Sequence, residues 1–368
     1  MPIAAERRHW TVLDKSLEAD FAGLRELSDG DFGVGSRTLD DSLWVVQYTR
    51  DRGSPRTYLW DRKAKTGKLL FAVQPKLEGL VLAKDEPVSF KARDGMQLHG
   101  YLSLPPGVAA EKLPTVLLVH GGPWARDYWG YNPYAQWLTN RGYAVLQINF
   151  RGSTGYGKAF INAGNRQWGK TMHTDLLDGL EWLVGRGVAD PARVAVYGGS
   201  YGGYAALAAA AFTPDRFACN VDIVGPSNLR TLIASIPPYW KPIRGMFDRR
   251  MGNVDKPEDA ELIKEASPLF KADQIKKPLL IGQGANDPRV NQRESEQIVS
   301  AIEKNGGKVT YVLYPDEGHG FRRAENNMDF NARTEEFLAA CLKGRAEPLQ
   351  GERVPGATAI VKVIGGAQ

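Results

Sequence analysis

The chain has 368 residues, 43% hydrophobic and 24% charged. That length exceeds a typical single domain, so one large globular domain with a smaller piece is expected. The net charge of +5 comes from Lys and Arg scattered among Asp and Glu, which argues against a surface that tracks phosphates and against a nucleic-acid partner. No apolar run approaches the roughly 20 residues needed to span a bilayer, so no membrane partner is expected.

The N-terminus reads MPIAAERRHWTVLDKSLEAD. It lacks a basic stretch followed by an apolar one, so no signal peptide is read. As the chain stands this favours the cytoplasm; a longer N-terminus would allow the periplasm, and the compartment is left unknown. Residues 10–27 carry a mixed helix and strand signal. Residues 39–85 read as short alternating strands at 43–49, 56–60 and 68–73, with turns at 51–55 and 65–67. Strand, turn, strand at this spacing is a meander of the kind that forms one propeller blade.

The pattern changes near residue 85. Two strands, 88–92 and 97–104, flank the hairpin signal Asp94-Gly95. Strand-length apolar runs then follow at 115–119, 143–148, 194–197, 218–224, 278–282 and 309–314. Helical patterns at 134–140, 174–184, 204–212, 294–304 and 331–342 alternate with them. Such alternation predicts an α/β architecture, a mostly parallel sheet with helices on both faces. After about residue 347 the chain contains Gly and Pro and reads as a peripheral tail. The expected division is 1–85, 86–346 and 347–368.

The five histidines form no His-x-x-x-His pair, so no metal site and no cofactor are expected. Cys219 and Cys341 lie far apart, each in an apolar run, and each is expected to be a buried free thiol.

The strongest motif is Gly198-Gly199-Ser200-Tyr201-Gly202-Gly203. It fits G-x-S-x-G, with an apolar strand before it and a small-residue helix after it, the context of a nucleophile elbow. The turn leaves no room for side chains beside the serine, and the helix N-terminus favours negative charge. A serine nucleophile needs a base, and the base an orienting acid, in the order Ser, Asp or Glu, His. Asp287 falls in the loop after strand 278–282, and His319 in the loop after strand 309–314. Both are therefore expected at the carboxyl ends of neighbouring strands. Asp316 and Glu317 are alternative acids, but they lie too close in sequence to reach behind the imidazole. The developing oxyanion needs donors. The Tyr201 N–H is one; the Gly122 N–H, in the loop His120-Gly121-Gly122-Pro123 after strand 115–119, is the other. His120 reads as structural. The glycine cluster Arg151–Gly157 lacks a phosphate-loop lysine and reads as a structural loop beside the site.

With these residues in view, the run from about 87 to 347 resembles the catalytic domain of the prolyl oligopeptidase family of serine peptidases, with closest likeness to its acylaminoacyl-peptidase and dipeptidyl-peptidase branches. The carrying motifs are His120-Gly121-Gly122-Pro123, the run from Asn149 to Gly157, Gly198 to Tyr204, Gly284 to Val290, and Gly318-His319-Gly320-Phe321. The resemblance implies an α/β-hydrolase fold, Ser200, Asp287 and His319 as the triad, Tyr201 and Gly122 as oxyanion donors, and a peptide substrate. It also suggests Arg289, two residues after the acid, as a ligand for a substrate backbone carbonyl. A carboxylesterase with the same triad and a non-catalytic fragment are the competing readings. The family has a full β-propeller ahead of the hydrolase; only about 85 residues precede it here, enough for one or two blades. An incomplete propeller leaves an open sheet edge, which invites pairing with another chain as a homo-oligomer. Residues 227–240, which by resemblance line the specificity pocket, have few aromatics early on, which does not favour strict proline preference.

Overall fold

A computed structural model describes residues 6–351 and 353–365. Its first unit is a four-stranded antiparallel meander in the order β1 (Asp31–Arg37), β2 (Leu43–Thr49), β3 (Arg56–Asp61) and β4 (Thr66–Ala72). Helix α1 (Glu18–Leu27) covers one face of it. Phe21 and Leu24 of α1 pack with Phe32, Trp44, Val46, Tyr48, Tyr58 and Trp60 into a separate small core. These strand residues alternate along β2 and β3, as a half-buried sheet requires. Asp20 is fully buried in this unit and takes Trp60 Nε1 at 2.9 Å, Arg62 Nε at 3.1 Å and Lys65 Nζ at 2.6 Å. Burial pushes its pKa up, but the Lys65, Trp60 and Arg62 hydrogen bonds outweigh that and hold it below the ordinary value.

The second unit is a nine-stranded sheet. Its strands are β5 (Asp85–Lys91), β6 (Gln97–Ser103), β7 (Leu113–Val119), β8 (Ala144–Asn149), β9 (Ala189–Gly199), β10 (Cys219–Ile223), β11 (Leu279–Gly284), β12 (Val309–Tyr314) and β13 (Ile360–Ile364). Their order is β13-β12-β11-β10-β9-β7-β8-β6-β5. From β8 through β12 all neighbours are parallel; β5, β6 and β13 are antiparallel. The helices are α2 (Pro133–Asn140), α3 (Lys158–Ala163), α4 (Thr171–Gly185), α5 (Tyr201–Phe212), α6 (Leu229–Ala234), α7 (Arg244–Met251), α8 (Ala260–Glu265), α9 (Arg293–Lys304) and α10 (Ala324–Leu342).

Every residue of β7 is buried, because a central parallel strand is covered on both sides. Val116 and Leu118 face the cluster with α2 and α10, while Leu117 and Val119 face the cluster with α4 and α5. Each such side chain contributes about 1.5–3 kcal/mol by leaving water. The tail expected after residue 347 contains one further strand, β13, which closes the sheet beside β12.

The two units meet through polar groups. Gln136 Nε2 donates to the Asp51 carbonyl at 3.2 Å, and the Asp85 N–H donates to Asp51 Oδ2 at 3.1 Å. One expectation is corrected here: Cys219 and Cys341 are not free thiols but form a disulfide. Cys219 starts β10 and Cys341 ends α10, which packs over that strand and brings the two Cα atoms to 6.3 Å. Among the described residues no helix is long and apolar enough to cross a membrane, and no group of acidic, His and Cys side chains could hold a metal.

Candidate active site

Four loops leave the carboxyl ends of parallel strands on one edge of the sheet, and each carries residues the sequence singles out. Ser200 sits between β9 and α5 with φ 58° and ψ −115°, a conformation that costs an L residue about 1–3 kcal/mol and persists only where its surroundings enforce it. They do. The Ser200 N–H donates to the Ile223 carbonyl at 2.8 Å, and the Ser200 carbonyl accepts the Tyr204 N–H at 2.9 Å. The glycines have a measurable reason. A Cβ on Gly198 would stand 2.6 Å from the Val119 carbonyl oxygen, and one on Gly203 would collide with the Asp222 carboxylate. The elbow is thus wedged between β7 and β10.

The loop after β7 packs directly on this turn. A Cβ on Gly121 would lie 3.5 Å from that of Ser200, and Gly122 has φ +125°, which only glycine adopts readily. His120 spends both ring nitrogens on structure, Nδ1 with the Gly121 carbonyl at 2.8 Å and Nε2 with Ser153 Oγ at 3.0 Å, while its ring stacks on Phe150. The glycine cluster 151–157 supports this loop from behind. Thr154 donates its N–H to the Ala125 carbonyl at 2.9 Å. Arg151 forms a bidentate pair with buried Asp175 and reaches Asp94 at 2.7 Å. Hydrogen bonding to Asp175 raises the Arg151 pKa despite burial.

Asp287 and His319 come from the loops after β11 and β12. His319 Nδ1 and Asp287 Oδ2 are 2.7 Å apart. The other carboxylate oxygen accepts the Arg289 N–H at 2.8 Å and the Val290 N–H at 3.0 Å. An ionised carboxylate only accepts, so Nδ1 carries the proton and Nε2 is left with a free lone pair. The two loops are laced together: the Asn286 N–H meets the Glu317 carbonyl at 2.9 Å, and Asn286 Nδ2 the Pro315 carbonyl at 2.8 Å. The alternative acids are occupied elsewhere, Asp316 by Asn326 and Arg323, and Glu317 by the backbone N–H groups of Arg322 and Arg323.

Ser200, Tyr201, Gly122 and Arg289 all line one cavity of about 190 Å³. Its other walls are mainly apolar, with Leu232, Ile233 and Ile236 from the segment the sequence assigns to the pocket. The aromatic walls come mostly from elsewhere: Trp124, Trp168 and Phe247 join Trp240. Sequence reasoning missed these three. Only Trp124 had a local signal, standing directly after the His120–Pro123 motif. Arg289 is exposed at the rim, its guanidinium carbon 5.9 Å from the Trp240 ring centre. Behind the elbow, Asp222 was also missed. It is fully buried, its Oδ1 accepts the Gly225 N–H at 2.8 Å, and its Oδ2 has no hydrogen-bond partner among the described residues. Burial pushes its pKa up to about 7, against the opposing Gly225 hydrogen bond.

The chain is 53% identical over 364 residues to dipeptidyl aminopeptidase BIII of Pseudoxanthomonas mexicana, covering 97% of this chain and 53% of that protein. It is 46% identical over 361 residues to dipeptidyl peptidase family member 6 of Caenorhabditis elegans, covering 91% of this chain and 48% of that one. The chain therefore spans about half the length of these relatives. A puromycin-hydrolyzing peptidase of Mycobacterium tuberculosis superposes with a TM-score of 0.75 at 28% identity, over 84% of this chain and 48% of that one. The model of the prolyl oligopeptidase family matches residues 129–345, more than half of the chain; the chain belongs to the prolyl oligopeptidase family.

Proposed function

We propose that the chain is a serine peptidase that hydrolyses short peptides through an acyl-enzyme on Ser200. His319 Nε2 takes the Ser200 proton as the hydroxyl oxygen adds to the scissile carbonyl. The N–H groups of Tyr201 and Gly122 receive the oxyanion. His319 then protonates the leaving amine, and water repeats the sequence to release the acid. Asp287 holds the imidazole in the tautomer this needs. Arg289, on the cavity rim, binds a carbonyl of the substrate backbone. No step calls for a metal or cofactor.

One observation carries this reading: the strained Ser200, both proposed oxyanion donors and Arg289 open on the same apolar cavity. An acyl group seated there would present its carbonyl to the serine with its side chain out of water. The names of the two relatives point to peptides with a free amino terminus, cut to release dipeptides. Matched peptide anilides, one with a free and one with an acylated amino terminus, test this beside a simple aryl ester. Cleavage of the free-terminus anilide by the chain, and an approximately 10⁶-fold loss in Ser200→Ala, is the expected result. Activity of Ser200→Ala within tenfold of the parent would remove Ser200 from the mechanism. Ester cleavage alone would replace the peptidase by an esterase. The homo-oligomer is a proposal of the same kind: β4 ends its sheet with Leu69, Leu70 and Phe71 about half exposed, an edge without protection.

A further inference from the structure

Glu294 is a carboxylate with 1% exposure, in the first turn of α9, that the proposed chemistry does not use. Several donors converge on it. Oε2 accepts the Ser227 N–H at 3.0 Å, the Asn228 N–H at 2.9 Å and Gln297 Nε2 at 2.9 Å. Oε1 accepts the Thr231 hydroxyl. The Glu294 backbone carbonyl takes the Ser227 hydroxyl at 2.6 Å as well. Apart from Gln297, which lies on α9 itself, these partners are the start of α6, where Asn228 caps the helix. Pro226, directly before them, and Leu232 and Ile233, directly after, are walls of the Ser200 cavity. On its own strand of chain, Glu294 follows closely on Arg289 and Val290, which line the same cavity, and on Asp287.

We infer that Glu294 is the positioning residue that sets the shape of this cavity, and so the size of acyl group accepted, by clamping its α6 wall to the loop that carries Asp287 and Arg289. This rests on the proposed reading of the cavity as the acyl-binding site. Buried charge-assisted hydrogen bonds are the short, strong kind. A carboxylate answered by two backbone N–H groups fixes the main chain itself, so it sets where Leu232 and Ile233 stand. A methionine in its place keeps the length and offers no carboxylate, so the buried Ser227 and Asn228 N–H groups lose their acceptor and that wall is freed.

The test compares 4-nitrophenyl hexanoate, whose acyl chain must enter the cavity, with 4-nitrophenyl acetate, whose acyl group barely does. In Glu294→Met the ratio of kcat/KM for hexanoate over acetate is expected to fall at least about tenfold, through KM. Thr231→Val removes one hydrogen bond and keeps the shape; it is expected to lower the ratio about threefold, and it carries the test if Glu294→Met does not fold. A ratio within twofold of the parent in every folded variant, including parallel losses on both esters, would overturn the inference, since a merely structural residue costs stability without changing selectivity. If the parent hydrolyses neither ester faster than Ser200→Ala, the catalytic reading has failed instead. The inference is then decided by titrating 1-anilinonaphthalene-8-sulfonate against the fluorescence of the wall tryptophans Trp124, Trp168 and Trp240. A Kd at least fivefold weaker in the variants supports it, and an unchanged Kd overturns it.

Discussion

His319 Nδ1 meets Asp287 Oδ2 at 2.7 Å across 32 residues of sequence, and the second oxygen of that carboxylate is held by the Arg289 and Val290 N–H groups. The acid is therefore fixed before it touches the imidazole. Parallel pairing of β11 with β12 accounts for the approach, since both loops leave the same edge of the sheet. The contact commits the ring to one tautomer.

Asp287→Asn presents an amide that donates as readily as it accepts, so the imidazole can turn its proton toward Ser200. We expect kcat on a peptide anilide to fall by about 10³–10⁴ with little change in KM, because no cavity wall moves. Steady-state kinetics decide it; a fall of less than tenfold would deny Asp287 its role.

Arg289→Ala should act the other way. The side chain is exposed, with its guanidinium over the Trp240 ring, so the melting temperature should hold. A hydrogen bond from a charged group is worth about 1.5–3 kcal/mol, which predicts a roughly 10- to 100-fold loss in kcat/KM. That loss should appear for peptides, which offer a second carbonyl, and not for an aryl acetate. Equal losses on both would place Arg289 outside substrate recognition.

Asp222 gives a pH dependence whose sign is opposite to ordinary acid denaturation. Its folded pKa is raised to about 7 from the ordinary 3.8. Between those values the folded state holds a proton that the unfolded state has released. Its contribution to stability is therefore complete below about pH 4 and declines as pH rises toward 7, by about 1.4 kcal/mol per pH unit for one proton. Asp222→Asn keeps an acceptor for the Gly225 N–H and removes the charge. It should raise the melting temperature at pH 8 and leave it nearly unchanged at pH 4. Equal shifts at both pH values would show that Asp222 does not titrate in this range.

At β4 the expectation is association. Leu69, Leu70 and Phe71 stand about half exposed on a strand with an open edge. Light scattering at micromolar concentration should show a species larger than one chain, and Phe71→Lys, a charge of the kind that guards natural edges, should return it to the monomer. A well-behaved parent monomer would dispose of the idea.

Much of both units was legible because the signals are local. Residues 309–314 form β12 as the pattern predicts, and 43–49 form β2, since a buried strand announces itself by its own apolar residues. The glycines around Ser200 mark a turn that no other residue type fits. Other features left weak traces. β13 has a short apolar run that reads equally well as a tail, and only its pairing with β12 makes it a strand. The first strand, β1, contains Gly33 and Gly35, which weaken strand propensity until β2 supplies the partner.

Residue type and order along the chain suffice to name Ser200, Asp287 and His319 as candidates and to assign them to loops after strands, because the elbow and the strand ends are local requirements of backbone geometry. Beyond the segment 227–240, which residues wall the cavity was decided only in three dimensions. Trp124, Trp168, Leu232, Trp240 and Phe247 come from separate loops and helices and meet through the packing of those elements over the sheet edge. Glu294 and Asp222 acquire their character in the same way. A carboxylate becomes a clamp or a titrating group through the donors and the burial that folding brings to it, and neither is written in its neighbours along the chain.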